Sequence, residues 1–203
     1  HQTLIATKSS RIVRAAAGRP VLEFGSRRAQ GYDGAIYGSR AAIVGGCTST
    51  ANTMAEIMFN IPATGTMAHS WVQLFDSEYE AFVKWAEVYP DNCSLLVDTF
   101  NVLKSGIPNA IKVFDEHVVP KGFRPKSVRI DSGDITYLTK ETRKLLDQAG
   151  YKDVKIIVSN SLDEYIIKDV LAQGAQIDIF GVGERLITAR SEPVFGGVYK
   201  LVA

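Results

Sequence analysis

Residues 127–134 read SVRIDSGD: a short run built on Val128 and Ile130, then an acid, a hydroxyl, a glycine and a second acid. A buried strand that ends abruptly in polar residues has this form. The same pattern returns along the chain in PVLEFG (20–25), AAIVGG (41–46), PATGTMAH (62–69), CSLLVD (93–98), KIIVSN (155–160) and IDIFGVG (177–183). Helical spacing lies between the runs. Tyr79, Phe82, Val83 and Ala86 fall on one face behind a Ser77/Glu80 capping box. Leu138, Leu145, Leu146 and Ala149 share another face that Gly150 is placed to end, and a Ser161/Glu164 box opens a helix that Gly174 closes. Strands that alternate with helices pair in parallel, because each crossover needs room for a helix. Seven such runs predict a mostly parallel, closed or nearly closed α/β barrel over residues 1–203. An open, doubly wound sheet is the alternative. The first run lacks the GxGxxG turn of a dinucleotide-binding fold, which counts against it.

Composition narrows the function classes. With 46% hydrophobic residues the chain can bury a full core, and a net charge of +1 gives no electrostatic pull toward nucleic acid or an anionic membrane. No apolar run reaches membrane-spanning length and no signal peptide is visible. Cys47 and Cys93 are too few for a disulfide framework or a zinc site, so a reducing, cytoplasmic setting is expected. The opening HQTLIATKSSRIVRAAAGRP lacks an initiator Met and reads as an amphipathic helix in mid-flow. The closing FGGVYKLVA stops inside a strand-like run. A piece of a longer protein is expected.

In a parallel barrel the strand C-termini open on one face, and that face carries the active site. Here the run ends deliver Arg27 and Arg28, Thr48 and Ser49, His69, Asp98, Asp131, Asn160, and Gly181 with Gly183. A lone acid past a strand can simply cap the next helix. Asp98 and Asp131, at neighbouring tips, need a cation or proton between them, and Mg²⁺ with a phosphorylated ligand is a natural guest. Arg129 shares a strand face with Asp131, either as its ion-pair partner or as a bidentate phosphate clamp. Ser132 and Gly133 make the turn. Asp134 is read as structural, its loss expected to hurt stability more than loss of Arg129, and loss of Arg129 to hurt turnover more. FGVGER (180–185) is a plain βα turn or a phosphate cradle. His69 is a structural imidazole or an acid/base or phosphoryl-carrying nucleophile. His1 and His117 read as solvated. Thr48, Ser49 or Thr50 is expected to cap a helix, and Asn160 and Asp163 to start one.

The set FGSRRAQG, GCTSTANTMA, GTMAHSW, LLVDTFN, RIDSGDI, SNSLDEY and FGVGERL, in this order, resembles nicotinate phosphoribosyltransferase, over essentially the whole chain. The resemblance implies the irregular barrel of a type II phosphoribosyltransferase without the family's separate terminal α/β domain. It implies transfer of the phosphoribosyl group of 5-phosphoribosyl-1-pyrophosphate to nicotinate, with release of pyrophosphate, coupled to ATP hydrolysis through a phosphohistidine. By motif that histidine is His69. Arg129 and Asp131 then hold the ribose phosphate and its Mg²⁺, with Asp98 at the ribose and pyrophosphate end. Asp163 contacts ribose, and Gly181 and Gly183 form the phosphate loop. Arg27 lies near phosphate and Phe24 beside the pyridine ring. Nicotinamide-using relatives carry an aspartate where Ser49 stands, which favours nicotinate here. The resemblance also implies a homodimer in the full-length form, and an N-terminal segment with a pyridine-site tyrosine that this chain lacks. Quinolinate phosphoribosyltransferase and a phosphate-binding barrel without turnover are the competing readings. GTMAHSW argues against the first of these.

Overall fold

The structure, a computed structural model, describes residues 1–202. Six strands form one sheet: β1 (Val21–Glu23), β2 (Ser49–Thr50), β3 (Ser94–Leu96), β4 (Ser127–Ile130), β5 (Lys155–Val158) and β6 (Ile179–Val182), in the order β2-β1-β6-β5-β4-β3. β1 pairs with β2 in parallel, as β3, β4, β5 and β6 pair with one another in turn. The α-helices are α1 (Gln2–Ala15), α2 (Tyr32–Val44), α3 (Thr53–Phe59), α4 (His69–Val72), α5 (Glu78–Val88), α6 (Ile107–Val113), α7 (Ile135–Gln148), α8 (Glu164–Ala172) and α9 (Glu184–Ile187). The predicted parallel α/β alternation is present, with six strands rather than seven among the described residues.

Two predicted strands account for the difference. AAIVGG is the last turn of α2, whose buried Ile36, Ser39 and Ala42 keep the helical period up to Gly45. An apolar run this short fits a buried helix end as well as a strand. The strand comes later, at Ser49–Thr50, so neither of these residues nor Thr48 caps a helix. Asn52 caps α3, accepting from the N–H groups of Met54 and Ala55. PATGTMAH contributes a single parallel bridge, Thr50 to Ala63. The Ser161/Glu164 box does not form as predicted: α8 begins at Glu164, Ser161 has φ +50°, and the Glu164 carboxylate pairs with buried Lys8 at 2.8 Å. The Ser77 cap on α5 and the left-handed Gly150 and Gly174 agree with the sequence reading.

The chain divides into two compact units. One comprises residues 1–64, 161–164 and the chain from Val182 on. Its core holds Ile5 and Ile12 of α1, Val21 of β1, Ile36 of α2, Leu162 and Leu186. α1 and α2 approach closely at Gly45, where a Cβ would lie 2.5 Å from the Ala6 carbonyl oxygen. The other unit comprises 65–160 and 165–181. Leu95, Leu96, Val128, Ile130, Ile156, Val158 and Phe180 come from its strands and are fully buried, as are Phe82, Ile107, Phe114 and Leu146 of its helical segments. Strands buried on both faces read as continuous Val/Ile/Leu runs, which is why this half was legible. Each such side chain contributes roughly 1.5–3 kcal/mol by burial.

Candidate active site

In the second unit the strand register sets the site. Leu96 pairs with Arg129 and Ile130 with Val158, so Asp98, Asp131 and Ser159 follow their strands at matching positions. Strand β3 is held close by the turn that follows it. A Cβ on Gly106 would lie 1.9 Å from the Val97 carbonyl oxygen, so only glycine fits beside the residue preceding Asp98. That turn, Val102–Gly106, is wound in π-helical form and capped by Asn101, which accepts from the Lys104 N–H at 2.8 Å.

Asp98 is the hub. Its side chain is 1% exposed, and Oδ1 lies 3.1 Å from His69 Nε2. Oδ2 accepts the Asp131 N–H at 3.0 Å and the Ser132 hydroxyl at 2.6 Å. A carboxylate only accepts, so the facing Nε2 carries a proton, and in the neutral imidazole Nδ1 then has the lone pair. His69 opens α4 and its side chain is 41% exposed, so that lone pair belongs to a reachable ring. The two neighbouring acids do not share a bare cation site. Asp131 turns its backbone N–H toward Asp98, and its Oδ1 accepts from Arg129 Nη2 at 3.1 Å and from the Ser159 hydroxyl. Arg129 also donates through Nε to Ser159 at 2.8 Å and through Nη1 to Thr66 at 2.9 Å. His69, Asp98, Arg129, Asp131 and Ser132 thus form one hydrogen-bonded cluster. Thr66 and Ser159 were not singled out from sequence. Ser159 was accessible, since it follows KIIV as Asp131 follows SVRI; Thr66 carried no signal. Glu78, in the first turn of α5, was also missed. Burial pushes its carboxyl up and the Asp98 charge adds to this, against hydrogen bonds from Asn109 and Ser105. From sequence it looks like an ordinary acid at a helix start. Asp134 caps α7, accepting the Tyr137 N–H at 3.0 Å.

The first unit brings together a different set. The Phe24 N–H donates to the Val182 carbonyl at 2.8 Å, extending β1 by one residue. Gly25 and Gly183 then meet almost backbone to backbone. A Cβ on Gly25 would lie 2.8 Å from the Gly183 oxygen, and one on Gly183 would lie 3.1 Å from the Phe24 oxygen. Packing alone therefore requires glycine at 25 and leaves little room for a Cβ at 183, where α9 starts, whereas Gly181 lies buried inside β6. Phe24 is half-buried, and Arg27 is exposed in the short 3₁₀ turn Ser26–Arg28. Ser49 is 6% exposed, and its Oγ has no hydrogen-bond partner among the described residues. Asp163 stands directly before α8, the helix-start position expected of it, and also pairs with Arg185 at 2.5 Å, a pairing that sequence did not disclose. Glu23, also missed, is fully buried and accepts from Ser39 at 2.9 Å, from Thr50 at 2.6 Å and from the Gly25 N–H. Among the described residues no helix is long and apolar enough to cross a membrane.

A model of the nicotinate phosphoribosyltransferase (NAPRTase) family matches residues 20–200. The chain belongs to the nicotinate phosphoribosyltransferase family. It is 51% identical, over all 203 of its residues, to a nicotinate phosphoribosyltransferase of Bacillus subtilis, of which it covers 41%. It is 44% identical to nicotinate phosphoribosyltransferase pncB2 of Mycobacterium tuberculosis, covering 43% of it. The chain thus spans about two fifths of the length of these relatives. Among solved structures, human nicotinic acid phosphoribosyltransferase superposes with a TM-score of 0.81 at 28% identity, over 90% of this chain and 47% of the human one. The α/β fold predicted from the alternating runs is the fold of this family.

Proposed function

We propose that the protein, as part of a nicotinate phosphoribosyltransferase, joins nicotinate to the phosphoribosyl group of 5-phosphoribosyl-1-pyrophosphate and releases pyrophosphate, driven by ATP through phosphorylation of His69. The observation that carries the reading, beside family membership, is the His69–Asp98 contact of 3.1 Å between a half-exposed imidazole and a buried carboxylate. Asp98 holds the Nε2 proton, so the phosphoryl group of ATP is accepted at Nδ1. The Nδ1 lone pair forms the N–P bond while the bond to ADP breaks. Asp98 then stabilises the ring in that state, as a carboxylate orients a nucleophilic or basic histidine elsewhere.

Arg129 is fixed by Thr66 and Ser159 with its guanidinium beside Asp131, which leaves a preorganised cation for the ribose phosphate or the departing pyrophosphate. Mg²⁺ fits this set through water and phosphate oxygens better than through direct carboxylate bonds. Both Asp98 oxygens are already engaged, and among the described residues no three His, Cys, Asp or Glu side chains converge on a point. Asp131, with its side chain 19% exposed, is the acid able to reach a bound water of the ion. When bound, Mg²⁺ neutralises pyrophosphate as it leaves. In the other unit, the orphan Ser49 hydroxyl supports recognition of a carboxylate, with Phe24 against the pyridine ring, Arg27 toward phosphate, Asp163 toward ribose hydroxyls and Gly183 opening the phosphate turn beyond Gly181. A hydroxyl donates to nicotinate where an acid would repel it. A homodimer and a cytoplasmic setting complete the proposal.

The test is acid-labile ³²P transfer from γ-labelled ATP to the protein at its natural length, with nicotinate mononucleotide formation measured alongside. Wild type is expected to label at one histidine and to turn over nicotinate. His69→Ala should lose the label and ATP-driven turnover while keeping slow, uncoupled transfer. Full ATP-driven turnover in His69→Ala sinks the assignment. Turnover of quinolinate with loss of CO₂ would favour the competing enzyme.

A further inference from the structure

We infer that Glu23 is a positioning residue for the pyridine end of the site: it sets the turn that carries Phe24 and Arg27 and, through Thr50, the strand tip that carries Ser49. The inference rests on the functional reading just given and adds to it a residue that touches no substrate.

Glu23 is fully buried at the end of β1. Three donors converge on its two oxygens. The Gly25 N–H reaches Oε1, while the Ser39 hydroxyl at 2.9 Å and the Thr50 hydroxyl at 2.6 Å reach Oε2. Each donor belongs to a different piece of structure: the turn after β1, helix α2 and strand β2. Thr50 passes the link on, because its Oγ1 also accepts the Asn52 N–H at 3.0 Å, and Asn52 caps α3. Burying an acid is unfavourable unless it is hydrogen-bonded, and a well-packed apolar residue would hold a core at least as well. What the carboxylate adds is direction: it fixes three elements at hydrogen-bond geometry.

Strand alternation shows what that direction serves. Glu23 pairs in register with Thr50 and Leu22 with Ser49. Neighbours in a parallel pair share a face, so Glu23 and Thr50 lie on one face, with Ser39 of α2. Leu22 and Ser49 lie on the other, which the same alternation assigns to Phe24. The buried Ser49 hydroxyl that lacks a partner is therefore held from behind by a network that has none to spare. Burial pushes the Glu23 carboxyl up, and the bonds from Thr50, Gly25 and Ser39 pull it back.

Glu23→Gln tests this with little change in volume. An amide has a single acceptor oxygen, so either the Gly25 N–H meets an NH₂ group or both hydroxyls must turn to accept. The β1 turn or the β2 tip then shifts. The expected result is a rise of about tenfold in KM for nicotinate with kcat within about threefold, because the loss is one of substrate placement. ATP-dependent labelling of His69 should be unchanged. Thr50→Val, which cuts the Glu23 link to β2 and the Asn52 N–H bond but leaves the Gly25 and Ser39 links, should move KM the same way by a smaller factor. A lowered melting temperature in both variants with KM for nicotinate within about twofold of wild type would mean that Glu23 is structural only. Wild type run alongside separates the two failures. No nicotinate turnover in wild type overturns the functional reading and this inference with it. A working wild type with an unmoved KM overturns the inference alone.

Discussion

Two buried acids, one in each unit, solve the same problem in opposite ways. The Asp98 side chain is 1% exposed and Glu23 is fully buried. Each must be hydrogen-bonded to be tolerated. Asp98 takes as one partner an imidazole, a ring that can gain or lose a proton and that, in the proposed reaction, carries the phosphoryl group. Glu23 takes two hydroxyls and a backbone N–H, none of which has a second charge state in the working pH range. The first arrangement couples the acid to chemistry, since any change on His69 is felt at once across 3.1 Å of poorly screened space. The second couples the acid only to shape. The residues around them follow suit. Asp98 lies beside an arginine–aspartate pair and a reachable histidine, whereas Glu23 lies among Thr50, Ser39 and the neutral thiol of Cys47, which burial, with the Glu23 charge, pushes up to about 12.

The largest effect that can break this contrast is Asp98→Asn. The amide keeps the volume and can still meet the Ser132 hydroxyl, but it can present its NH₂ group to His69 and so favour the wrong tautomer. Labelling of His69 by ATP is expected to fall by up to roughly 10⁴, the loss seen when the carboxylate behind a triad histidine is made neutral. Melting temperature should change little by comparison. Labelling within a few-fold of wild type would mean that Asp98 is a core acid like Glu23, and the distinction between the two would collapse.

A middle-sized effect concerns pH. Glu23 in the folded protein holds its proton more tightly than in the unfolded chain, because burial outweighs its hydrogen bonds. The folded state thus binds more protons across the interval between the two values. Stability from this group is greatest below the ordinary carboxylate range and is lost as pH rises through that range to the raised value. The melting temperature of wild type minus that of Glu23→Gln should therefore fall as pH rises from the ordinary carboxylate range. A flat or rising difference would show that the hydrogen bonds, and not burial, dominate at Glu23.

How much of this was readable beforehand follows the same divide. The Asp98 cluster was legible because its strands are apolar runs with one register. CSLLV, SVRI and KIIV each end at the tip, and Asp98 and Asp131 stand out as acids after buried strands. The Glu23 cluster was not. Its partner strand is two residues long, ST, with no apolar run to mark it, and the run AAIV just before it belongs to a helix. Glu23 sits between Leu22 and Phe24 where strand alternation allows an ordinary solvent-facing acid, and nothing in PVLEFG says that α2 covers that face. Ser39 and Thr50 reach it from 16 and 27 residues away in sequence. Separation in sequence likewise hid the Lys8–Glu164 and Asp163–Arg185 pairs. Sequence reveals chemistry where local pattern and tertiary position coincide, as at RIDSGD, and loses it where a polar side chain finds its partners only through the fold.

The smallest effect comes from a third acid that belongs to neither scheme. Asp134 is exposed and caps α7 through the Tyr137 N–H at 3.0 Å. Asp134→Ala should lower stability by about 1 kcal/mol, a shift of a few degrees in melting temperature for a chain of this size, and leave labelling and KM unmoved. Sequence put Asp134 ahead of Arg129 as a stabiliser, and the geometry reverses that order. Arg129 donates to Thr66, Ser159 and Asp131, and its removal leaves the Asp131 carboxylate without its cation. Losing a charge-assisted partner from a partly buried acid outweighs losing one exposed cap. Differential scanning fluorimetry on Asp134→Ala and Arg129→Ala side by side decides it. A larger drop for Asp134→Ala would show that Arg129 is held in place for the ligand at no gain to the fold, and would set it apart from Asp98 and Glu23 alike.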